Sequence, residues 1–520
     1  MEPGSIQQLL DAQLPARGNR PFLRFGERTL TFAEVDAAVR RLAAALQGLG
    51  IGPGDHVALI LPNGIEFVVL WMACARLGAL SVFVNPAYQG AMLEYVLDDS
   101  RPRALFVSST GVQAFGAIPP AAMRHAEWVC VVDAAEGVHV PGSNRRVGWH
   151  DLLRCAEPAP PAVSDPGTRN CVIYTSGTTG PSKGAVLSNA ALLAGSRTFV
   201  DLAELTEADV LFTPLPLFHG LASRQGVLGC LIAGAEVVIE SRFSASGFWQ
   251  QVTEANATVA QTMFNIPAML KAQPPGAFER RHRLRFLYNA GHDDAFEARF
   301  GAPLLESYGL VETGITIFSP FSRRRPGSCG RLHGDWEARI VDPQGNELAD
   351  GETGELLLRP RRPHLFMTGY LGKPEATLQA CRDFWFHTGD FLYRDPDGFF
   401  YFAGRQKERI RRRGENISAW EIERIVAEHP AIRLCAAMGY PAEVGDDDVR
   451  LVVSVSEGAD LQPAQLAAWL QQRMPPFMVP RYYEILDSLP LTPTKKVRKN
   501  ELIEQGFKGR VWDREVAGWR

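Results

Sequence analysis

Residues 174–184 read Tyr-Thr-Ser-Gly-Thr-Thr-Gly-Pro-Ser-Lys-Gly, so all but the tyrosine and the proline are Gly, Ser, Thr or Lys. The stretch follows the apolar run 171–174, which predicts a strand that ends in a loop of small residues. Glycine lets backbone amides point inward without an obstructing Cβ, and the hydroxyls and Lys183 supply donors and positive charge for a polyphosphate. The spacing departs from the Walker pattern G-x-x-x-x-G-K-[ST], because Lys183 is followed by Gly184. Taken alone, the stretch fits a phosphate-binding loop and a flexible linker equally well.

Length and composition limit the class of protein. A chain of 520 residues predicts more than one domain. A hydrophobic content of 46% and a charged content of 22% are typical of a globular protein. A net charge of -4 argues against a nucleic-acid-binding protein, which would carry a basic excess.

The cysteines and the apolar segments indicate a cellular compartment. The eight cysteines include no C-x-x-C pair, which leaves a zinc site without support and favours reduced thiols. The N-terminus shows no basic start followed by an apolar core, so no secretion signal is visible. The most apolar stretch, 67–84, is interrupted by Arg76 and Gly78, which predicts a helix and a strand instead of a membrane span. We expect a soluble cytoplasmic protein without a membrane span.

Apolar strands alternate with helices through the first part of the chain. Strands are predicted at 57–61, 80–84, 104–107, 210–213, 236–239, 258–262 and 285–288, and helices at 31–46, 65–77 and 91–97. Fully apolar strands between helices predict parallel sheets covered on both faces. Residues 335–402 change to short strands joined by Gly-Asp and Asp-Gly turns, and the chain after Gly404 is basic and then α+β. The predicted fold class is α/β: a large N-terminal domain of two α/β sheet subdomains plus a small β-barrel-like portion, and a small α+β C-terminal domain.

Four further stretches carry chemically distinctive residues. They are Leu-Pro-Leu-Phe-His-Gly at 215–220, Tyr-Gly-Leu-Val-Glu-Thr at 308–313, His-Thr-Gly-Asp at 387–390 with the basic run 404–418, and Leu-Pro-Leu-Thr-Pro-Thr-Lys-Lys-Val-Arg-Lys at 489–499. In this order and at these separations, the five stretches resemble the ANL superfamily of adenylate-forming enzymes over nearly the whole chain. That family contains acyl-CoA synthetases, the adenylation domains of peptide synthetases and firefly-type luciferase. Within it, residues 243–249, 273–275 and 399–402 are most similar to crotonobetaine/carnitine-CoA ligases.

The resemblance implies a reaction with a definite electrostatic demand. It implies an acid–thiol ligase that activates a carboxylic acid with ATP to an acyl-adenylate and transfers the acyl group to coenzyme A, releasing AMP and pyrophosphate. The carboxylate attacks the α-phosphorus while both groups are negative, so the site must supply positive charge and oriented donors. The implied cofactors and co-substrates are ATP, Mg²⁺ and coenzyme A.

The resemblance also assigns roles to residues of this chain. Catalysis falls to Lys496, Glu312 and Thr178, and Thr178 and Glu312 hold the Mg²⁺, a hard cation that takes oxygen ligands. Nucleotide binding falls to Thr175, Ser176, Gly177, Thr178, Thr179, Gly180, Lys183, Gly291, Tyr308, Gly309, Asp390 and Arg405. The acyl pocket is assigned to Phe218, His219, Phe264, Gly314 and Ile315, which predicts a mostly apolar acid. Lys407 is the hinge between domains 1–406 and 407–520, the second of which is mobile, and Gly414 and Glu415 lie on the coenzyme A side.

Three positions depart from the family pattern. Val311 stands where relatives have Thr or Ser, Lys495 where they have Gly, and Arg413 where many have a second Gly. These departures keep open a divided or variant enzyme that performs one half-reaction or uses an acceptor other than coenzyme A. A nucleotide-binding protein without turnover is a further alternative. An amino-acid-activating domain is disfavoured, because no Asp stands near Phe218 to bind an amine.

The partners are small molecules, with no nucleic acid, and the chain is expected to be a monomer or a homodimer. Asp293 and Asp294 fit either of two interpretations. They face a cationic substrate such as a betaine, or they begin a helix.

Overall fold

The apolar strands and capped helices predicted from the sequence form three large sheets, followed by a smaller C-terminal region. The structure is a computed structural model, and it describes residues 3–133, 140–142, 145–156, 162–163, 165–175, 182–263, 266–289, 291–405, 409–412, 415–442, 447–474, 476, 478–492, 495–509 and 511–516.

The strands are numbered in chain order. The strands up to residue 305 are β1 (Pro21–Phe25), β2 (Arg28–Thr31), β3 (His56–Ile60), β4 (Leu80–Phe83), β5 (Ala104–Val107), β6 (Trp128–Val131), β7 (Arg169–Thr175), β8 (Lys183–Ser188), β9 (Val210–Thr213), β10 (Glu236–Ile239), β11 (Val259–Gln261), β12 (Phe286–Tyr288) and β13 (Leu304–Leu305). The later strands are β14 (Ser307–Leu310), β15 (Gly314–Phe318), β16 (Gly330–Leu332), β17 (Trp336–Val341), β18 (Gly354–Pro360), β19 (Gly369–Tyr370), β20 (Phe386–Arg394), β21 (Phe399–Arg405), β22 (Arg409–Arg412), β23 (Glu415–Ser418), β24 (Ile432–Pro441), β25 (Asp447–Val455), β26 (Tyr482–Ile485) and β27 (Val511–Asp513).

The α-helices cover the sheets. They are α1 (Ile6–Arg17), α2 (Phe32–Gly48), α3 (Ile65–Leu77), α4 (Gly90–Ser100), α5 (Trp149–Leu153), α6 (Asn189–Ala203), α7 (Leu228–Ala233), α8 (Phe248–Glu254), α9 (Ile266–Lys271), α10 (Asp294–Phe300), α11 (Pro374–Ala380), α12 (Ala419–Ala427), α13 (Pro463–Gln471) and α14 (Lys499–Glu504). A π-helix at Leu221–Val227 precedes α7. The predicted bounds of α3, β5, β9 and β10 are confirmed.

Two mostly parallel sheets form the predicted α/β subdomains. The first α/β sheet has the order β19-β8-β7-β4-β3-β5-β6, and the second has the order β13-β12-β11-β9-β10-β1-β2. In each sheet the inner strands are parallel, and antiparallel pairs occur only toward one edge, at β7–β8–β19 and at β1–β2. Parallel strands place their carboxyl ends along one edge, which is where ligands bind in such sheets.

Helix α3 joins the two α/β sheets. All of its residues except Glu66 are buried, and it contacts β3 and β4 of the first sheet and β1 of the second. A helix that is apolar on every face needs neighbours on every side, so its sequence already predicts an interior position. The preceding helix α2 begins with the predicted capping box, in which Thr31 and Glu34 each bond the other's backbone amide.

A third sheet, antiparallel, follows the α/β sheets. Its order is β14-β15-β16-β21-β20-β18-β17, and it contains the predicted portion 335–402. The sheet is larger than that portion, because the hairpin β14–β15 and the end of β21 extend it to residues 307–405. Tyr308, Asp390 and Arg405 therefore stand in one sheet.

The C-terminal region contains the hairpin β22–β23 and a sheet of order β24-β25-β26-β27, packed with α12, α13 and α14. The predicted α+β character of this region is confirmed. The predicted boundary at 406/407 lies outside the described residues and stays a prediction. None of the helices in the described part of the chain has the length and apolar character that crossing a membrane requires.

Candidate functional site

The predicted phosphate-binding stretch connects β7 to β8. The two strands pair antiparallel with Thr175 opposite Lys183, and the Thr175 hydroxyl donates to the Lys183 carbonyl at 3.3 Å. Because β7 pairs with β4 in the first α/β sheet, the stretch is carried at the carboxyl end of a buried strand. Ser176, Gly177, Thr178, Thr179 and Gly180 lie outside the described residues, and their predicted roles stay predictions.

Glu312 and Lys183 both contact Tyr370, a residue that no sequence motif indicated. The Tyr370 hydroxyl donates to Glu312 Oε1 at 2.8 Å, and the Lys183 ammonium lies 4.9 Å from the centre of the Tyr370 ring. Tyr370 belongs to β19, which pairs with β8 directly after Lys183. The strand pairing thus brings the end of the phosphate stretch to the predicted metal-binding carboxylate.

The Glu312 carboxylate is held in a poorly solvated position. Its residue is 8% exposed, and burial raises the pKa of Glu312, while the Tyr370 hydrogen bond and the charge of Lys183 act to lower it. A buried carboxylate gains from a nearby cation, because a desolvated charge is costly unless it is paired.

We expect Tyr370→Phe to move the acid limb of the activity–pH profile to higher pH by about one unit. Loss of the hydroxyl removes a hydrogen bond of about 1.5–3 kcal/mol to the ionised form of Glu312, and so raises the pKa of that carboxyl further. If the ionised carboxylate is the active form, activity is lost as the pH falls through the raised pKa. Steady-state AMP release between pH 5 and 8 measures the shift. Tyr482→Phe, in the C-terminal sheet, is the matched control, and an unmoved acid limb in Tyr370→Phe would show that Glu312 is not the titrating group.

Tyr308, Asp390 and Arg405 form the second polar cluster. The Tyr308 hydroxyl donates to Asp390 Oδ2 at 2.9 Å, and Arg405 Nε lies 3.0 Å from Asp390 Oδ1. Asp390 and Arg405 face each other across the β20–β21 pair. Burial and the neighbouring carboxylate raise the pKa of Tyr308, so its hydroxyl stays protonated and donates. Asp390 therefore contacts both of the other residues that are predicted to surround the adenosine.

Two of the predicted nucleotide-binding glycines differ in their surroundings. A Cβ atom on Gly309 would lie 2.4 Å from the Gly314 carbonyl oxygen and 2.8 Å from Ile315 Cα. Only glycine fits there, because the β14–β15 hairpin closes tightly at a register shift. A Cβ on Gly291 would meet no atom within 4 Å, so Gly291 faces open space and its carbonyl accepts from the Asn289 side chain at 3.0 Å.

Predicted site residues follow neighbouring strands of the second α/β sheet. Phe218 and His219 of the predicted acyl pocket come after β9, Thr262 and Met263 after β11, and the predicted nucleotide-binding residue Gly291 after β12. Strand β11 pairs with both β9 and β12, so these segments leave the same edge of the sheet side by side. Phe264 lies outside the described residues.

His219 is an uncharged residue of the predicted acyl pocket. Its Nδ1 accepts from the Leu221 amide at 3.3 Å, which leaves the proton on Nε2. Burial lowers the pKa of His219 to about 4, so the imidazole carries no charge near neutral pH.

Gly314 and Ile315 begin β15 of the third sheet. Ile315 is buried. The position that a Cβ would take on Gly314 is occupied by the guanidinium of Arg224, so a cation borders the predicted acyl pocket.

A cavity of about 420 Å³ opens where the carboxyl ends of both α/β sheets meet. Asn63 and Pro86 come from the first sheet, Phe218 and Arg242 from the second, and Lys495 from the C-terminal region. Asn63 fixes this edge, because its side chain donates to the carbonyls of Leu215 and Glu240 and accepts from the Leu217 amide. The acyl wall and the lysine-bearing loop therefore border one space.

The lysine-bearing loop is a tight hairpin around Thr492. The Thr492 amide donates to the Lys496 carbonyl at 2.7 Å, the Lys495 amide donates to the Thr492 carbonyl at 2.8 Å, and the Lys496 amide donates to the Thr492 hydroxyl at 3.0 Å. Lys495 has a φ of 63°, the left-handed region that glycine adopts most easily. This geometry gives a physical reason for a glycine at that position in relatives, and Lys495 adopts it at a cost.

The coenzyme A and hinge residues are described only in part. Lys407 and Gly414 lie outside the described residues, and Glu415 stands in β23 opposite Arg412. Arg412, one of the basic run, is buried and pairs with Asp448 at 2.9 Å. That arginine therefore serves the packing of the C-terminal region and does not form part of a solvated face.

Asp293 and Asp294 begin a helix. The Asp293 carboxylate accepts from the Phe296 amide at 2.9 Å as the N-cap of α10, and it pairs with Lys271 at 2.5 Å. The Asp294 side chain is 97% exposed and contacts His292. Of the two interpretations left open by the sequence, the structure favours the helix start.

Sequence reasoning missed two residues of the site, Tyr370 and Arg224. The dipeptide Gly369-Tyr370 carries no motif, so its contact with Glu312 emerges only from strand pairing. Arg224 did leave a signal, because it is the lone charge in the run 220–235, which is otherwise apolar, small or uncharged.

Comparison with known proteins agrees with the geometry. Residues 10–371 match the family of AMP-binding enzymes, and residues 421–496 match the AMP-binding enzyme C-terminal domain. The chain is 33% identical over 484 residues to the crotonobetaine/carnitine–CoA ligase of Escherichia coli strain S88, an alignment that covers 90% of this chain and 92% of the relative. The resemblance seen in the sequence is confirmed.

Solved structures share the fold. A crystal structure of an anthranilate CoA ligase in complex with anthranoyl-AMP superposes with a TM-score of 0.88 at 24% identity, over 96% of this chain and 97% of the other. A benzoate CoA ligase from Burkholderia xenovorans LB400 has a TM-score of 0.84 at 22% identity, over 96% of this chain and 100% of the other. At these identities the likeness bears on the fold, and the predicted fold class is confirmed.

Proposed function

Because the chain belongs to the family of AMP-binding enzymes, we propose which of its residues carry out the two half-reactions of an AMP-forming acyl-CoA ligase. The enzyme activates a carboxylic acid with ATP to an acyl-adenylate, and it transfers the acyl group to coenzyme A. The observation that carries the residue assignment is the contact of Lys183 and Glu312 through Tyr370. It joins the phosphate stretch to a buried carboxylate at the edge where ligands enter such sheets.

The polyphosphate end of ATP lies against the connection between β7 and β8. Lys183, with the backbone amides and hydroxyls of 175–180, neutralises the charge of the leaving pyrophosphate. Glu312 fits a Mg²⁺ ligand, because a desolvated carboxylate with one neutral donor accepts a hard cation readily, and Thr178 supplies a second oxygen. When bound, Mg²⁺ neutralises phosphate charge. Tyr370 orients the Glu312 carboxylate through the hydrogen bond from its hydroxyl.

The nucleoside end lies against the third sheet. Asp390 holds the ribose hydroxyls, Arg405 holds Asp390 in place across the strand pair, and Tyr308 presents its ring to the adenine. The support is the shared carboxylate, which fixes both neighbours at 2.9–3.0 Å. Gly309 lets the hairpin that carries Tyr308 close tightly, and Gly291 leaves open space for the base.

Lys496 bridges the acid and the α-phosphate. The hairpin that bears it reaches the cavity shared with Phe218, and a cation is needed where two negative groups react. The acid itself lies between Phe218, His219, Phe264, Gly314 and Ile315. After adenylation, residues 407–520 rotate about Lys407, and Gly414 and Glu415 replace the lysine hairpin so that the thiol of coenzyme A can attack.

A panel of carboxylic acids with ATP, assayed for AMP with and without coenzyme A, tests this function. We expect AMP release that depends on the acid and rises on addition of coenzyme A. AMP or pyrophosphate exchange that is indifferent to coenzyme A would indicate a divided enzyme or a different acceptor. Absence of turnover with every acid would contradict ligase activity.

Val311→Thr is expected to raise the rate of adenylation by about tenfold. The position precedes Glu312 and lacks a hydroxyl that relatives supply, and one hydrogen bond to a charged group contributes about 1.5–3 kcal/mol. The Val311 carbonyl, which accepts from Arg224 at 3.4 Å, is unchanged by the substitution. Acid-dependent ATP–pyrophosphate exchange measures the rate, with Val311→Ala as the control that removes bulk without adding a donor. An unchanged rate in Val311→Thr would mean that residue 311 does not face the α-phosphate.

We also propose that the enzyme is cytoplasmic and acts as a monomer or homodimer. The eight cysteines are free thiols, which is typical of a reducing compartment. Size-exclusion chromatography with light scattering decides between the two oligomeric states.

A further inference from the structure

The guanidinium of Arg224 is buried beside the predicted acyl pocket. Arg224 is 3% exposed and lies in the π-helix that follows His219 and Gly220. A Cβ on Gly195 would lie 2.4 Å from Arg224 Cζ, and one on Gly314 would lie 2.8 Å from it. Two glycines thus leave the room that the guanidinium fills, and one of them, Gly314, is a predicted pocket residue.

This cation is without a carboxylate partner in the part of the chain that the structure describes. Nη2 donates to the Ala191 carbonyl at 2.5 Å and Nη1 to the Val311 carbonyl at 3.4 Å. Nε has no acceptor among the described residues. Burial lowers the pKa of Arg224 to about 10, so the group remains charged at neutral pH. A buried charge without a counter-charge is costly to maintain.

Other polar atoms around the same helix are also unsatisfied. Gln225 Oε1 and Gln261 Oε1 are buried and have no donor among the described residues. Gln261 is tied to the beginning of the π-helix, because its Nε2 donates to the Leu221 carbonyl at 2.9 Å. Two buried amide oxygens without a donor among the described residues therefore accompany the buried cation at this π-helix. Buried polar groups of this kind are normally paired, which points to a polar ligand.

The two aspartates that fitted a cationic substrate in the sequence are engaged in other contacts. Asp293 caps α10 and pairs with Lys271, and the Asp294 side chain is exposed. A quaternary ammonium group beside Arg224 would meet an uncompensated like charge. This arrangement separates the chain from a ligase for crotonobetaine or carnitine, both of which carry such a group.

We propose that the acid substrate carries a second carboxylate on its acyl chain and that Arg224 binds it. The inference rests on the proposed function, since it concerns the acyl pocket of the same ligase. A guanidinium matches a carboxylate with two parallel hydrogen bonds, and a substrate anion supplies the counter-charge that the described residues lack. Arg224 is thus a specificity-determining residue.

A matched acid panel tests the proposal. The straight-chain dicarboxylic acids from succinate to suberate are compared with monocarboxylic acids of equal length and with crotonobetaine and carnitine. The quantity measured is kcat/KM for AMP release with coenzyme A. We expect the best dicarboxylic acid to exceed its monocarboxylic match by about 100-fold, the effect of one charge-assisted contact. A monocarboxylic acid or a betaine that performs as well as the diacid overturns the proposal.

Variants test whether Arg224 is the source of the preference for diacids. Arg224→Met keeps the length and burial of the side chain and should reduce the diacid preference to a few fold, because kcat/KM falls much further for the diacid than for its monocarboxylic match. Arg124→Met, an exposed arginine paired with Asp98, is the matched control and should keep the preference. An equal loss with all acids in Arg224→Met would show a structural role and contradict the proposal. If Arg224→Met does not fold, the wild-type panel decides.

Binding separates this inference from the proposed function. Diacid alone should raise the melting temperature of the wild type and leave that of Arg224→Met unchanged. If no acid yields AMP but this pattern holds, the proposed function fails, and only the assignment of Arg224 as a diacid-binding residue stands. If AMP forms from other acids and diacids neither bind nor react, the inference fails and the function stands.

Discussion

Lys496→Ala is expected to lower acyl-adenylate formation by about 10²–10³-fold, the effect of removing one charged contact to a transition state. Lys496 stands in a hairpin whose neighbouring residue lines the cavity shared with the acyl wall. Two negative groups meet during adenylation, and a cation placed between them acts most strongly at that step. Acid-dependent ATP–pyrophosphate exchange measures it. Thioester formation from acyl-adenylate supplied ready-made should be almost unchanged, because that step uses the other orientation of the C-terminal region.

Lys495→Gly is the matched control for this prediction. Lys495 has a φ of 63°, and glycine adopts that conformation without strain, so the hairpin keeps its shape while one lysine is lost. Adenylation should be little changed. If Lys495→Gly abolishes adenylation and Lys496→Ala does not, the catalytic lysine is Lys495, whose side chain borders the cavity.

Local pattern predicted the elements of the fold well. Strand β5 and helix α3 have the bounds that their apolar runs indicate, since burial on both sides leaves few alternatives for such segments. The third sheet was predicted too small, because the short strand β14 carries polar and glycine residues and joins the sheet only through its hairpin with β15. The hairpin itself joins the sheet through β16, which pairs with β21 much later in the chain, and such a distant partner leaves no periodic signal.

The sequence predicted the motif residues of the candidate site, but it did not predict the contacts between them. Glu312 and Lys183 stand in recognisable stretches, but the tyrosine between them is placed by the β8–β19 pairing, in which Tyr370 stands opposite Ala185, 185 residues earlier in the chain. Arg224 was missed for a different reason. A charge in an otherwise apolar helix suggests a functional role, yet only the packing of Gly195 and Gly314 against it places it beside the predicted acyl pocket.

Lys407→Pro should retain adenylation and impair the transfer of the acyl group to coenzyme A. Proline fixes φ near -65° and removes a backbone donor, so a hinge at residue 407 would be held in one orientation. In the structure, the Lys495 hairpin lines a cavity of the N-terminal domain, and the Trp420 ring packs edge-on against Phe402 with ring centres 5.5 Å apart. Both contacts cross the proposed boundary between 1–406 and 407–520. Rotation must break them, so restricting the hinge favours the adenylating orientation.

We therefore expect Lys407→Pro to keep ATP–pyrophosphate exchange near the wild-type rate while acyl-CoA formation falls by about 10²-fold, the order of loss that misplacing reacting groups causes. Lys407→Ala, which removes the side chain and leaves the backbone free, is the control and should keep both activities. Thioester formation from supplied acyl-adenylate should fall with the overall reaction, which places the defect in the second half-reaction. Equal loss of both half-reactions would indicate misfolding or a hinge elsewhere. Undiminished acyl-CoA synthesis would show that this enzyme completes catalysis without rotation about residue 407, because a proline there cannot follow the backbone change that rotation requires.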